Sequence, residues 1–159
     1  MRYLGIDIGG ANTKIATSDG TIIELHYLPL WKDTTLPQTL KDISKRLKPD
    51  KVGVVITGEL ADCFEDKLHG LKFIMKAVED AFACDVYYIG TNGNIHKNYD
   101  DLRGLAAANW AASSRLIGEE IGDCIFVDVG STTSDIIPIV NANQDRKSTR
   151  LNSSHESPS

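Results

Sequence analysis

Two copies of one strand–turn–strand pattern, one near each end of the chain, constrain the fold more than any other feature. Residues 4–14 read LGIDIGGANTK and residues 126–135 read FVDVGSTTSD. Each copy has an apolar strand that ends in Asp, a Gly-containing turn with small polar residues, and a return strand. Aligning Asp7 with Asp128 also aligns Gly9 with Gly130 and Thr13 with Ser134. The repeat predicts two hairpins of the same design.

Turns of this kind are suited to binding phosphate groups. Glycine lets an anion approach the main chain closely, and successive backbone N–H groups form an anion-binding concavity. An Asp beside the turn suits Mg²⁺, which is held by few carboxylates and keeps several of its waters. We therefore predict that Asp7 and Asp128 hold Mg²⁺ through water and that Lys14 adds positive charge. The predicted phosphate-binding residues are Gly9, Gly10, Asn12, Thr13, Gly130, Ser131, Thr132 and Thr133.

The remaining pattern predicts an α/β fold. Strands at 2–8, 13–18 and 21–30 precede a helix whose apolar residues, Leu36, Leu40, Ile43 and Leu47, have helical spacing. A strand at 51–57, a second helix, a strand at 85–89 and an alanine-rich third helix at about 100–117 follow. The order β-β-β-α-β-α-β-α predicts a mixed five-stranded sheet, followed by a hairpin of strands at 123–129 and 133–140.

Polar residues at the ends of the parallel strands form a second group of candidates. Ligands of open α/β sheets bind beyond the carboxyl ends of the strands. The strand at 51–57 ends in Thr57, Gly58 and Glu59, and the strand at 85–89 is followed by the turn-forming segment 90–94. We expect Thr57 and Gly58 to line the site. Two alternatives remain open for Glu59, a base or water-orienting group and an N-terminal carboxylate of the following helix, which Asp62 is expected to cap.

The repeat also predicts the domain organisation. Residues 1–121 form a first lobe, and residues 122–144 begin a second lobe of the same topology that is cut short. Residues 145–159 lack periodicity and are nearly free of apolar side chains. This tail is similar to a translated sequencing artefact found at the ends of unrelated chains. We therefore expect it to be non-native or disordered, and we expect the chain to be an inactive fragment of a longer protein.

Composition limits the partners. The chain has 159 residues, 42% hydrophobic and 25% charged, with a net charge of −5. These values are typical of a globular domain, and the absence of a basic stripe argues against nucleic-acid binding. No apolar run is long enough for a membrane span, and the cysteines have neither metal nor disulfide spacing. We expect a cytoplasmic protein with a small phosphate- or diphosphate-containing substrate; the oligomeric state remains open.

The two turns resemble the phosphate-1 and phosphate-2 motifs of the actin, hexokinase and Hsp70 superfamily. Together with residues 57–62, TGELAD, they are similar to the hydantoinase/oxoprolinase branch, and in particular to proteins linked to the tetrahydromethanopterin one-carbon pathway. The resemblance covers about residues 1–140. It implies a ribonuclease H-like, actin-like ATPase lobe.

The resemblance also implies a function. The best-defined activity in this group is a transferase of methanofuran biosynthesis, which joins an aminomethylfuran diphosphate to γ-glutamyltyramine and releases diphosphate. The alternatives are an ATP-dependent kinase, a hydantoinase/oxoprolinase-like hydrolase and a non-catalytic actin-like nucleotide switch. The use of ATP therefore remains open at this point.

Overall fold

The computed structural model describes residues 1–32, 35–97, 99, 101–129, 133–140, 143–144 and 149–152. The chain divides into two compact units, Met1–Asn109 and Trp110–Ser159. Each unit is described separately below. In the described ranges, no helix is long and apolar enough to cross a membrane.

The first unit is built on a mixed sheet. Its strands are β1 (Tyr3–Gly9), β2 (Asn12–Thr17), β3 (Ile23–Tyr27), β4 (Lys51–Thr57), β5 (Asp85–Ile89) and β6 (Ile95–His96). They lie in the order β3-β2-β1-β4-β5-β6. The pairs β1–β4 and β4–β5 are parallel, and the pairs β1–β2, β2–β3 and β5–β6 are antiparallel. The predicted five-stranded mixed sheet is confirmed, and the two-residue strand β6 extends it at one edge.

One face of this sheet carries the core. Alternate residues of β1 and β4 are buried because successive side chains of a strand point to opposite faces. Helices α1 (Leu36–Leu47) and α2 (Lys67–Ala81) contribute to the same hydrophobic cluster. The apolar face predicted for α1 is confirmed, since its buried residues are Leu36, Leu40, Ile43 and Leu47. The strand ends that carry the polar candidates therefore project from a rigid support.

The alanine-rich segment differs from its prediction. A single helix at 100–117 was expected, but the chain forms a 3₁₀ turn at Leu102–Leu105 and then α3 at Asn109–Ile121. Ala106 forms a parallel bridge with Ile56, and the N–H of Ala107 donates to the Ile56 carbonyl at 2.9 Å. Ala107 adopts a positive φ of 51°. This tertiary contact overrides the helix propensity of alanine, so the helix begins later than its composition indicates.

The second unit contains the later hairpin. Strands β7 (Cys124–Val129) and β8 (Thr133–Val140) pair antiparallel, which confirms both predicted strands. Two short strands, β9 (Asn143–Gln144) and β10 (Thr149–Asn152), also pair with β8. Four residues of the expected tail are therefore in a strand, whereas 145–148 and 153–159 lie outside the described residues. The predicted domain boundaries remain a prediction.

Candidate functional site

Asp7 lies at the centre of a small polar cluster on the face of the first sheet opposite the core. It pairs with Lys14 across the β1–β2 hairpin and with Val55 in the parallel β1–β4 pair. The Lys14 ammonium lies 3.2 Å from Oδ2 of Asp7. The Thr57 hydroxyl donates to Oδ1 at 3.1 Å. Three predicted site residues from three strands are thus in direct contact.

The parallel register of β1 and β4 produces this cluster. Gly9 pairs with Thr57, so the two strands end side by side and their next residues meet. Gly58 lies so close to β1 that a Cβ built on it would be 2.7 Å from the Gly9 carbonyl carbon and 2.8 Å from its oxygen. Only glycine allows this approach without moving backbone. Gly58 therefore holds the two strand ends together.

The turn between β1 and β2 is anchored by the segment that follows β3. The Gly10 carbonyl accepts from the Leu30 N–H at 2.8 Å, and the Ala11 carbonyl accepts from the Leu28 N–H at 2.9 Å. A Cβ on Gly9 would meet the Asn12 carbonyl at 3.0 Å. These contacts fix the shape of the predicted phosphate-binding turn.

Thr13 and Glu59 are buried polar residues. Thr13 is fully buried, and its Oγ1 has no hydrogen-bond partner. Glu59 is 1% exposed, and its Oε2 also lacks a partner. The buried face of Thr13 follows from its alternation with Ile15 in β2, whereas Glu59 comes after the end of β4 and has no such local pattern. A role for Thr13 in phosphate binding remains a prediction.

The expectation for Asp62 is wrong. Helix α2 begins at Lys67, and its N-cap is Asp66, whose Oδ1 accepts from the His69 N–H at 2.7 Å. The segment 60–66 instead contains turns and bends. The acidic residue nearest the helix supplies the cap, as cap geometry requires.

The segment 90–94 is an ordinary turn in the described structure. The Gly90 N–H donates to the Asn94 carbonyl, and the Asn94 N–H donates to Oδ1 of Asn92 at 2.9 Å. Gly93 has a positive φ of 76°, which glycine adopts readily. The local hydrogen bonds account for the composition of this segment without a ligand.

The second hairpin repeats the register of the first with different chemistry. Asp128 pairs with Asp135, at the position where Asp7 pairs with Lys14. Asp128 is half-buried. The predicted site residues Gly130, Ser131 and Thr132 lie outside the described residues, and Thr133 is the first residue of β8. The predicted convergence of Asp128 with Asp7 remains a prediction.

Asp7 is the accessible carboxylate at the first turn, and its binding of Mg²⁺ remains a prediction. Within the described ranges, no cluster of three or more His, Cys, Asp or Glu side chains could hold a metal ion. Asp7 has 27% of its side chain exposed, and its Oδ2 faces the exposed ammonium of Lys14. A single accessible carboxylate fits Mg²⁺ that keeps most of its waters.

Comparisons with known proteins identify the family of the chain. The family described as Hydantoinase/oxoprolinase matches residues 50–155. A curated protein of Methanocaldococcus jannaschii, (4-{4-[2-(γ-L-glutamylamino)ethyl]phenoxymethyl}furan-2-yl)methanamine synthase, is 46% identical over 149 residues, covering 87% of this chain. The chain spans 44% of that protein's length.

Solved structures show the same fold at low sequence identity. The Aquifex aeolicus Ppx/GppA phosphatase has a TM-score of 0.57 at 13% identity, with 96% of this chain and 52% of that chain covered. The ethanolamine utilization protein EutJ of Carboxydothermus hydrogenoformans has a TM-score of 0.52 at 11% identity, with 96% and 52% covered. Identities this low support the architecture alone.

Proposed function

The chain belongs to the hydantoinase/oxoprolinase family, and on that premise we propose that its protein is a transferase of methanofuran biosynthesis. The reaction joins an aminomethylfuran diphosphate to γ-glutamyltyramine and releases diphosphate. The observation that carries the proposal is the 46% identity to the M. jannaschii synthase, whose named product is an aryl ether of these two parts. The chain covers less than half of that relative, so the activity is proposed for the longer form.

The bond changes define what the site must supply. The phenol oxygen of the acceptor forms a bond to the furfuryl carbon, and the carbon–oxygen bond to diphosphate breaks with its electron pair. The phenol loses a proton, and diphosphate leaves with additional negative charge. Positive charge and N–H donors placed in advance at the leaving group lower the barrier for such a step.

The first hairpin is suited to this leaving group. Its turn is glycine-rich and held by hydrogen bonds from residues 28 and 30, and Lys14 is the charged residue beside it. The 3.2 Å ion pair with Asp7 keeps Lys14 at the strand end, with 60% of its side chain exposed to an arriving anion. Thr57 fixes the other oxygen of Asp7. We assign Lys14 and residues 9–13 to the diphosphate.

Magnesium is part of the proposal. Asp7 would hold a hydrated Mg²⁺. When bound, the ion supplies charge neutralisation at the diphosphate oxygens. The fit rests on the accessible carboxylate of Asp7, whose side chain is 27% exposed.

The experiment measures diphosphate release and ether formation with the furan diphosphate and γ-glutamyltyramine. It is run on this chain and on a chimera in which the C-terminal part of the M. jannaschii synthase follows residue 140, with that synthase as positive control. We expect an active chimera that loses at least about 100-fold in rate on Asp7→Asn substitution. Asp42→Asn, an exposed carboxylate on α1, is the matched control and should retain the parent rate.

Three results would contradict the proposal. The first is a folded but inactive chimera alongside an active positive control. The second is an Asp7→Asn variant with the parent rate. The third is Mg²⁺-dependent ATP hydrolysis or phosphoryl transfer without ether formation, which would favour a kinase or a hydrolase. Tight ATP binding without turnover would favour a nucleotide-binding switch.

A further inference from the structure

Glu59 is a buried carboxyl group whose hydrogen-bonding capacity is incompletely used. It is among the largest fully buried side chains of the described residues, at 1% exposure. Its Oε2 has no hydrogen-bond partner. Burying a polar group without a partner costs free energy, and buried polar atoms in native proteins are nearly always satisfied. Oε2 is therefore available to accept a hydrogen bond or a proton from a group that binds beside it.

The position of Glu59 connects it with the phosphate-binding turn. In the described part of the chain, two buried side-chain oxygens lack partners, Oε2 of Glu59 and Oγ1 of Thr13. Thr13 pairs with Ile8, the residue before Gly9. Gly58, the neighbour of Glu59, packs against Gly9 itself. Thr13 and Glu59 therefore both lie next to the strand ends that form the candidate site, Thr13 on the core face of the sheet.

The backbone around Glu59 is fixed on both sides. Gly58 touches the Gly9 backbone, and a Cβ on Gly70 of α2 would overlap the Glu59 carbonyl oxygen. These two glycine contacts hold the residue between β1 and α2. The next residue, Leu60, is 70% exposed, so the chain reaches the surface directly after Glu59. A residue whose backbone is held on both sides has the rigid support that a functional side chain needs.

The structural alternative for Glu59 fails. An N-terminal helix carboxylate would stabilise the first turn of α2 through the helix dipole. That helix begins at Lys67, and Asp66 already caps it. Glu59 precedes the helix by more than two helical turns of sequence, and the dipole effect is confined to the first turn.

We propose that Glu59 accepts the proton of the acceptor's phenol as its oxygen bonds to the furfuryl carbon. This assignment rests on the proposed function. In the step, the phenol O–H bond breaks and its proton passes to the Glu59 carboxylate. The oxygen's electron pair forms the new carbon–oxygen bond, and diphosphate leaves with the electrons of the bond that breaks. The acceptor hydroxyl is then the missing partner of Oε2.

The test compares Glu59→Gln with Glu65→Gln in the chimera that is competent for turnover. The first change keeps the size of the side chain and removes its ability to take a proton. The second makes the same change at an exposed glutamate of the same segment. We expect Glu59→Gln to lower kcat about 100-fold or more, the range of general-base catalysis, with little change in KM for the furan diphosphate. Glu65→Gln should match the parent.

A fluorinated tyramine acceptor separates proton transfer from a structural effect. Its phenol is more acidic than the ordinary phenol, whose pKa is about 10, so it depends less on a base. With this acceptor, we expect the loss of kcat in Glu59→Gln relative to the parent to be about tenfold smaller than with the ordinary acceptor. A melting temperature equal to or above that of the parent is also expected, because an isosteric neutral group replaces a carboxyl with an unpartnered oxygen.

Several outcomes overturn the assignment. The first is a turnover rate of Glu59→Gln within about twofold of the parent rate. The second is a loss of kcat in this variant that is the same with the fluorinated and the ordinary acceptor. The third is a Glu59→Gln protein that fails to fold. Failure of the proposed function is distinguishable, because the parent itself would then release no diphosphate from the furan substrate.

Discussion

Replacing Gly58 by alanine tests the contact that holds the two strand ends together. The added Cβ would lie 2.7 Å from the Gly9 carbonyl carbon, 2.8 Å from its oxygen and 2.7 Å from Cδ1 of Leu30. The leucine can rotate away, but the backbone of β1 cannot. Since ordinary contacts begin near 3.4 Å, the strand ends must separate by about 0.7 Å.

Overpacking of this size has a predictable effect on stability. Extra atoms forced into a packed site cost about 1–3 kcal/mol. Gly53→Ala, in the strand β4 that directly precedes Gly58, is the matched control because no atom lies within 4 Å of its added Cβ. That change should stabilise by about 0.4–1 kcal/mol, since alanine restricts the unfolded chain. The two variants should therefore differ by roughly 1.5–4 kcal/mol in free energy of unfolding.

Urea denaturation followed by Trp31 fluorescence measures the difference. The Trp31 ring lies 4.0 Å from the Cβ position of Gly10, so its emission reports on the turn, and Trp110→Phe removes the second tryptophan signal. With a slope of about 2 kcal/mol/M, the midpoints should differ by roughly 0.75–2 M. Equal midpoints for Gly58→Ala and Gly53→Ala would refute the close approach of β4 to β1.

Two further predictions concern hydrogen bonds of the first unit. Thr57→Val should lower turnover of the chimera about tenfold, because Asp7 loses the hydrogen bond from the hydroxyl. Thr57→Ser keeps the hydroxyl and should keep most of the rate. Equal rates for the two variants would show that Thr57 does not contribute to the site. Hydrogen bonds from Arg46 hold the pKa of Glu24 below its usual 4.5. The stabilisation of the folded protein by these bonds is therefore present above pH 4.5 and is lost as the pH falls through the pKa of Glu24 in the folded state. Because both side chains are partly exposed, Glu24→Gln should lower the free energy of unfolding by less than about 1 kcal/mol at pH 7 and should leave it unchanged in strong acid. Thermal melts at a series of pH values check this, and an equal loss of stability in acid would contradict it.

The elements that sequence predicted correctly are those with a strong local pattern. The helix α1 has apolar residues at helical spacing, and each of them is buried. The alanine-rich segment had high helix propensity but was misassigned, because Ala106 and Ala107 bond to Ile56 of a distant strand. A long-range contact of this kind leaves no trace in the neighbouring sequence.

Some contacts of the candidate site were predicted from the sequence and others were not. Asp7, Lys14 and Thr57 were predicted from their places at strand ends, and the structure brings them into contact. The close approach of Gly70, a residue of the next helix, to the Glu59 carbonyl is a contact that no spacing rule indicates. Lys14 lies opposite Asp7, whereas Asp135 lies opposite Asp128. Both pairings follow from the alignment of the two hairpins, so the sequence contains this difference.

The parallel pairing of β1 with β4 sets the order in which the site is assembled during synthesis. The strands β1, β2 and β3 are joined by short turns and can pair as soon as they leave the ribosome. The bond from Thr57 to Asp7 spans 50 residues and needs β4 to dock beside β1 first. Loop closure over such a distance is slow compared with forming a hairpin. Until β4 has been translated and docked, the nascent chain therefore carries the Asp7 turn without the hydrogen bond from Thr57.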